Sequence, residues 1–262
     1  MQITDKDVKA AIGPVVGIVQ ARMGSTRLPG KVMREIGGKP MLWHVVTRLA
    51  ASALVEKIVV ATTQDGSDDR IADWCAENNV CCHRGSVNDV LDRYFYAALA
   101  SKARTVVRIT SDCPLLDPAL VDRAIRRFSE GGLDYVSIDP SFPDGLDAEV
   151  FSFAALEKAY MRAALSSERE HVTPYIWKNH NIFRICKIRC ETDLSKMRWT
   201  VDDERDLTLV NAIYDGIGAK GRIFHMEETL RFLEAHPSLL EINADIERNE
   251  GYAKSLSEDK AV

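Results

Sequence analysis

The stretch 15-VVGIVQARMGSTRLPGKVM-33 sets an apolar, β-branched run against a loop with two arginines, a lysine and two glycines within ten residues. Residues 15–20 read as a buried strand, and the chain leaves its carboxyl end polar, charged and sharply turned. Gly24 and Gly30 let the backbone approach a ligand closely, so that the loop running from Ala21 through Met23 to Ser25 can donate hydrogen bonds, while Arg22, Arg27 and Lys31 bring positive charge. Each charge-assisted hydrogen bond to a phosphate contributes roughly 1.5–3 kcal/mol, so three or four would hold a nucleoside triphosphate even after the cost of association. Two well-known phosphate loops do not fit. Five residues separate Gly24 from Gly30-Lys31 where Walker A has four, Val32 replaces its Ser/Thr, and G-x-G-x-x-G is absent. A solvated basic turn is the plainer reading, but such a turn does not need so many donors beside glycines.

The rest of the chain makes this loop stand out. The net charge is -5, yet residues 20–40 alone carry +4, which leaves -9 elsewhere. An acidic chain of this kind is not a general binder of nucleic acid or anionic membranes; any anion is bound locally. At 262 residues, 46% of them hydrophobic, it can bury the core of one large α/β domain with a small appendage. The opening 1-MQITDKDVKAAIGP-14 lacks the apolar stretch of a secretory signal, and no later run approaches the ~18 apolar residues of a membrane span, so a soluble, cytoplasmic protein is expected. The six cysteines have no C-x-x-C spacing and read as free structural thiols.

Outward from the opening strand, β-branched runs alternate with helical patterns. Helices are predicted at 40–51, 67–78, 87–101 and 118–129, and strands at 57–62, 79–84, 105–110 and 134–138. Right-handed β-α-β crossovers of this type predict an α/β fold with a mainly parallel sheet flanked by helices, ligands binding at the carboxyl ends of the strands. From about residue 141 the rhythm loosens into the turn-rich PSFPDGLDAEVF, a helix near 153–164 and the charged SSEREHVTPY, which read together as an insertion or lid over about 141–190. A strand is expected over 183–190, and another at Trp199–Val201 running into a helix. The expected organisation is an extension (1–14), a main domain (15–220) and a polar helical tail (221–262).

Two further motifs bring carboxylates to the same edge. In VVRITSDCPLLDP the strand delivers Asp112 just beyond its end, whereas Asp117 before Pro118 spells a helix cap. In RWTVDDERDL, Asp203 and Asp206 read as cap and first-turn acid, leaving Asp202, nearest the strand end, for a metal. Magnesium takes a few carboxylates plus water and phosphate oxygens, which suits Asp112 and Asp202 contributed from distant parts of the chain.

With these motifs in view, ARMGSTRLPGK resembles the A-R-x-x-S-x-R-L-P-x-K signature of the cytidylyltransferases that make CMP-activated acidic sugars, the CMP-Kdo and CMP-sialate synthetase group. RGSVNDVLDRY, VRITSDCPLLDP, PDGLDAEVF, EREHVTPYI and RWTVDDERDL bring the chain nearest to the SpsF type, named for spore coat polysaccharide biosynthesis. The resemblance implies a nucleotide-diphospho-sugar transferase fold, CTP and magnesium as ligands, and a homodimer. It implies that Arg22 and Lys31 grip the triphosphate with help from Ser25 and Arg27, that Asp112 and Asp202 hold magnesium, and that Arg84, Ser86 and Asp89 contact the nucleotide. Ser86 with Asp89 equally spells a capping box. Thr110-Ser111-Asp112 departs from the Gln-Gly-Asp typical of CMP-Kdo enzymes.

The expected chemistry is attack by the anomeric hydroxyl of a 2-keto-3-deoxy acidic sugar on the α-phosphate of CTP, with Arg22, Lys31 and Asp112 as catalytic groups. Asp144, Asp147, Glu149, Glu170 and His171 are the candidates for the sugar's hydroxyls, although Asp144-Gly145 also reads as a turn, Glu170 as part of a solvated face and His171 as a packed ring. Two rival enzymes fit less well. A glycosyltransferase usually shows D-x-D where this chain has Ser111-Asp112-Cys113, and a sugar-1-phosphate pyrophosphorylase usually shows G-x-G-T-R where it has Gly24-Ser25-Thr26-Arg27. A non-catalytic nucleotide-binding scaffold would need none of Arg22, Lys31, Asp112 and Asp202.

Overall fold

The structure, a computed structural model, describes residues 4–218 and 221–261; the expected domain boundary at 220 and the last residue of the tail lie outside the described residues. Helix α1 (Asp5–Ile12), capped by Thr4, precedes strand β1 (Val15–Gln20). After the basic loop come the short hairpin strands β2 (Glu35–Ile36) and β3 (Lys39–Pro40), then α2 (Met41–Ala50), β4 (Lys57–Thr63), α3 (Asp69–Glu77), β5 (Cys81–Gly85), α4 (Val90–Ala100) and β6 (Thr105–Thr110). The second half runs α5 (Pro118–Ser129), β7 (Tyr135–Ile138), β8 (Glu149–Ser152), α6 (Phe153–Arg162), α7 (Ser166–His171), α8 (Pro174–Lys178), β9 (Ile185–Ile188) and α9 (Glu204–Ile217). The tail contributes α10 (Met226–Ala235) and α11 (Glu250–Ser257).

Seven strands form one sheet in the order β5-β4-β1-β6-β8-β7-β9, parallel throughout except for β8. Side chains alternate across it. Val15 and Val19 of β1, Val107 and Ile109 of β6 and Val150 of β8 face a core closed by α2, α5 and α9. Val16 and Ile18, Val106 and Phe151 face the opposite core, closed by α4, α6 and α8. Burial on both faces explains why the inner strands read as continuous apolar runs. The chain winds from β1 to β4 and β5 on one side and then crosses to β6 on the other. A crevice therefore opens at the carboxyl ends of β1 and β6, the switch point at which ligands bind in such sheets.

The expected α/β architecture is the observed one, with two local corrections. The stretch read as an insertion supplies β8, an inner strand between β6 and β7, as well as the edge strand β9. Four residues following a run of turn formers are too short to display a strand's alternation. Conversely, Trp199–Val201 is extended but belongs to no strand, because the amide of Trp199 donates to the Asp144 carbonyl (2.6 Å) and that of Val201 to the Asp112 carbonyl (2.8 Å), two separate loops. Asp117 caps α5 as its sequence predicts, accepting from the Ala119 amide (2.8 Å). Among the described residues no helix is long and apolar enough to cross a membrane.

The β2–β3 hairpin is pinned by His44, whose Nε2–H donates to the Ile36 carbonyl at 2.7 Å. Burial pushes this imidazole down to about 4 against the pull of that hydrogen bond, and nearby Arg48 adds to the depression. A folded-state value below that of the unfolded chain contributes stability above about pH 6.5 that is lost as pH falls toward 4. The loss amounts to about 3 kcal/mol. Urea midpoints measured between pH 7 and 4 are expected to fall more steeply for the wild type than for His44→Gln; parallel curves would dismiss this contribution.

Candidate active site

The ends of β1 and β6 lie side by side, with the Ser111 amide donating to the Gln20 carbonyl (3.1 Å) and the Ala21 amide to Ala61 of β4 (3.1 Å). The basic loop springs from this point and folds back on itself. Gly30, in the left-handed region at φ 66°, returns its N–H to the Met23 carbonyl (3.0 Å). The Ser25 hydroxyl accepts from Leu28 N (3.3 Å), and buried Asp68 ties the loop to β4 by accepting from Met23 N (2.7 Å) and Thr63 N (3.3 Å). Buried Leu28 and Val32 anchor it below, so the cations it carries are held at the surface of the core.

Lys31 reaches across the crevice, its Nζ 2.9 Å from Asp112 Oδ2, 2.7 Å from Asp202 Oδ1 and 3.0 Å from the Val201 carbonyl. Burial disfavours the Lys31 charge, but the two carboxylates outweigh it and hold the ammonium above the usual lysine range. Burial likewise opposes the charge on Asp112, yet Lys31 and the Thr110 hydroxyl bring its carboxyl down to about 2. Both side chains are aimed at one point, the Lys31 ammonium. Asp202 is further fixed by Arg198, which also grips Asp144 (2.8 Å) and the fully buried Asp206 (3.0 Å). Asn243 from the tail completes the cluster by donating to Asp206 (2.8 Å). Arg198 and Asn243 escaped the sequence reading, as did the partnership of Asp206 with Arg198. The spacing of Arg198, Asp202 and Asp206 at four-residue steps within RWTVDDERDL is the signal that could have found the pairing.

Two cavities meet at this cluster. The first, about 490 Å³, is lined by Ala21, Arg22, Gly24, Ser25 and Lys31 of the loop together with Glu170. The second, about 530 Å³, holds Asp144, Asp147, Glu149, Trp177 and Lys187. Arg27, Asp112, His171, Asp202 and Glu250 line both. Met23 instead packs against the core below the loop.

The tail closes the pair of cavities from above, although composition alone marks it only as polar. Glu250 of α11 pairs with Arg27 (2.6 Å), and Gly251 and Lys254 line the first cavity while Glu247, Asn249 and Tyr252 line the second. Arg248 donates to the Pro140 carbonyl (2.9 Å), the Phe142 carbonyl (3.0 Å) and Asp147 (2.7 Å). Ser255 meets His171 (3.0 Å) and donates to Glu170 (2.8 Å), and Asp259 accepts from Ser166 and Ser167 at 2.8–3.0 Å.

The remaining expected residues are placed as follows. Arg27 is engaged by Asp202 (3.1 Å) and Glu250 rather than standing open. Glu149 accepts from Arg108, Tyr135 and Thr173, so its oxygens are occupied within the wall of the second cavity. Burial keeps His171 below the usual histidine range, hence neutral at pH 7, despite the adjacent Glu170. Arg84, Ser86 and Asp89 are not brought to the crevice. Arg84 donates to the Thr63 and Asp65 carbonyls (both 2.9 Å) and pairs with Asp69 (2.6 Å). The Ser86 hydroxyl accepts from Asp89 N (3.2 Å), while Asp89 caps α4 and pairs with Arg169 (2.6 Å), the capping alternative raised by the sequence.

A basic loop facing two acidic side chains, Asp112 and Asp202, across the switch point of a mainly parallel sheet defines a site for nucleotidyl transfer. The chain belongs to the cytidylyltransferase family, whose model matches residues 16–228. The spore coat polysaccharide biosynthesis protein SpsF of Bacillus subtilis is 32% identical over 230 residues, 85% of this chain and 95% of its own. A solved cytidylyltransferase from Leptospira borgpetersenii superposes with a TM-score of 0.83 at 32% identity, covering 89% of this chain and 99% of that one. A CMP-2-keto-3-deoxy-manno-octonic acid synthetase solved with CTP shares the fold, with a TM-score of 0.60 at 18% identity over 78% of this chain and 99% of that one.

Proposed function

We propose that the protein transfers CMP from CTP to the anomeric hydroxyl of an acidic sugar of the 3-deoxy-2-ulosonic type, releasing pyrophosphate, for surface polysaccharide biosynthesis. The observation that carries this reading is the convergence of Asp112 and Asp202 on one cation, Lys31 Nζ, where a loop-lined cavity joins a second cavity that holds Asp144, Asp147 and Glu149. CTP occupies the first cavity and the sugar the second. Lys187, which makes no ion pair among the described residues, is the cation on the second wall available to a sugar carboxylate. The same reading makes the chain a cytoplasmic homodimer with no nucleic-acid or membrane partner.

Asp112 and Asp202 suit magnesium. Their oxygens already gather around one positive charge, and among the described residues no cluster of three or more such ligands competes, so phosphate and water would complete the shell. Bound there, the ion would neutralise phosphate charge and polarise the α-phosphorus. The chain's own part is positional and electrostatic. Arg22 and Lys31 stabilise charge developing on the departing pyrophosphate, and the loop amides fix the triphosphate for in-line attack. The new bond joins the sugar oxygen to the α-phosphorus as the bond to the β-phosphate oxygen breaks, with no covalent enzyme intermediate.

The test is pyrophosphate release from each of the four ribonucleoside triphosphates with magnesium, against a panel of acidic sugars, neutral sugars and sugar 1-phosphates. Release confined to CTP with a free keto-acid sugar is expected. Release with a sugar 1-phosphate would replace this reading by a pyrophosphorylase.

A further inference from the structure

Arg93 of α4 is 2% exposed and lines the first cavity, yet its Nε and Nη1 are shut off from solvent without a hydrogen-bond partner among the described residues. No other arginine with orphaned buried nitrogens lacks side-chain partners altogether among the described residues: Arg108, whose Nε is also unpartnered, is held by Glu149 and Gln20. Arg48 donates to the Leu116 and Phe224 carbonyls, and Arg198 is held by Asp144, Asp202 and Asp206. The two carboxylates near enough to act on the charge of Arg93 are engaged elsewhere: Asp68 with Met23 and Thr63, Asp89 with the Asp92 amide and Arg169. Its neighbour in the cavity is a second cation, Arg22. Gly85, at the end of β5, leaves room for the Arg93 stem, since a Cβ there would stand 2.9 Å from Arg93 Cγ.

A buried guanidinium without acceptors weakens the fold that contains it unless a ligand supplies them. A neutral carbonyl would satisfy its N–H groups but leave two like charges in one cavity. An anion satisfies both. We propose that Arg93 is a ligand of the nucleotide's phosphates, sharing them with Arg22; this rests on the CTP-dependent reading above and adds to it a residue from the far wall of the cavity, outside the basic loop.

The test compares dissociation constants for CTP and for cytidine, with magnesium, in wild type, Arg93→Met and Arg93→Lys, together with the melting temperature of each ligand-free protein. Arg93→Met is expected to melt no lower than wild type, because an unpaired charge is replaced by an apolar chain of similar volume. It is expected to lose about 30- to 100-fold in CTP affinity while cytidine affinity changes less than about threefold. Arg93→Lys keeps the charge without the planar fork; its expected loss is intermediate, and it carries the same comparison if the methionine variant does not fold. Unchanged CTP affinity, or an equal loss for cytidine, would overturn the assignment while leaving the cytidylyl reading intact. A wild-type protein that does not bind CTP at all would overturn both.

Discussion

Asp112→Asn is expected to lower kcat/KM for pyrophosphate release from CTP by roughly 10³-fold, equivalent to about 4 kcal/mol of transition-state stabilisation. The amide preserves the shape of the side chain, so the Thr200 hydroxyl and Val201 amide, which bond only to the backbone carbonyl of residue 112, keep their partner. What disappears is one of the two negative charges that gather around Lys31 Nζ. A divalent cation held as proposed above would lose a ligand, and Lys31 loses a carboxylate that orients it. Binding of CTP without magnesium is expected to change by less than about tenfold or to improve, because a repelling charge beside the triphosphate is gone. The split between binding and turnover is the diagnostic result, read by calorimetry beside steady-state kinetics. Normal turnover with magnesium would remove Asp112 from the chemistry.

Arg198→Met is expected to cost about 3–5 kcal/mol of folding stability and to lower the melting temperature by about 10 °C. The residue sits between three carboxylates, of which Asp206 has no exposure at all. Deleting the cation leaves the Asp206 side chain enclosed without its guanidinium partner, with the amides of Asp202 and Asp203 and the side chain of Asn243 as its remaining donors. Activity should fall as well, since Asp202 is aimed by the same guanidinium. Arg198→Met combined with Asp206→Leu, which removes both members of the most buried pair but leaves Asp144 and Asp202 without the guanidinium, is expected to recover part of the lost stability. A single variant melting within about 2 °C of wild type would show that the cluster contributes little to the fold.

The scaffold was legible wherever one local signal decided an element. β1 and β6 are apolar, β-branched runs buried on both faces, and α5 opens with Asp117-Pro118, a cap and a first-turn proline; all three have the limits their residues predict. β8 was hidden because four residues among turn formers show no period, and Trp199–Val201 imitated a strand because an extended chain can spend its amides on loops. Asp112 and Asp202 could be singled out by elimination, since neighbouring acids were explained as caps. Arg93 and Glu250 could not. Each looks like one more charge on a helix, and only the fold reveals that the first is stranded and the second faces Arg27. The closing role of α11 was invisible for the same reason: its contacts with Arg27, Glu170 and His171 lie about 80 residues or more away along the chain.

The two cavities share part of their walls, and this limits how the protein's specificity can be altered. Arg27, Asp112, His171, Asp202 and Glu250 face both chambers, so under the proposed function a substitution there is expected to disturb nucleotide and acceptor at once. Asp147, Trp177 and Lys187 face the second chamber alone, whereas Ser25 faces only the first. Redesign toward a new acceptor therefore has its open ground at the former three positions, while the common wall sets the limit on any such change.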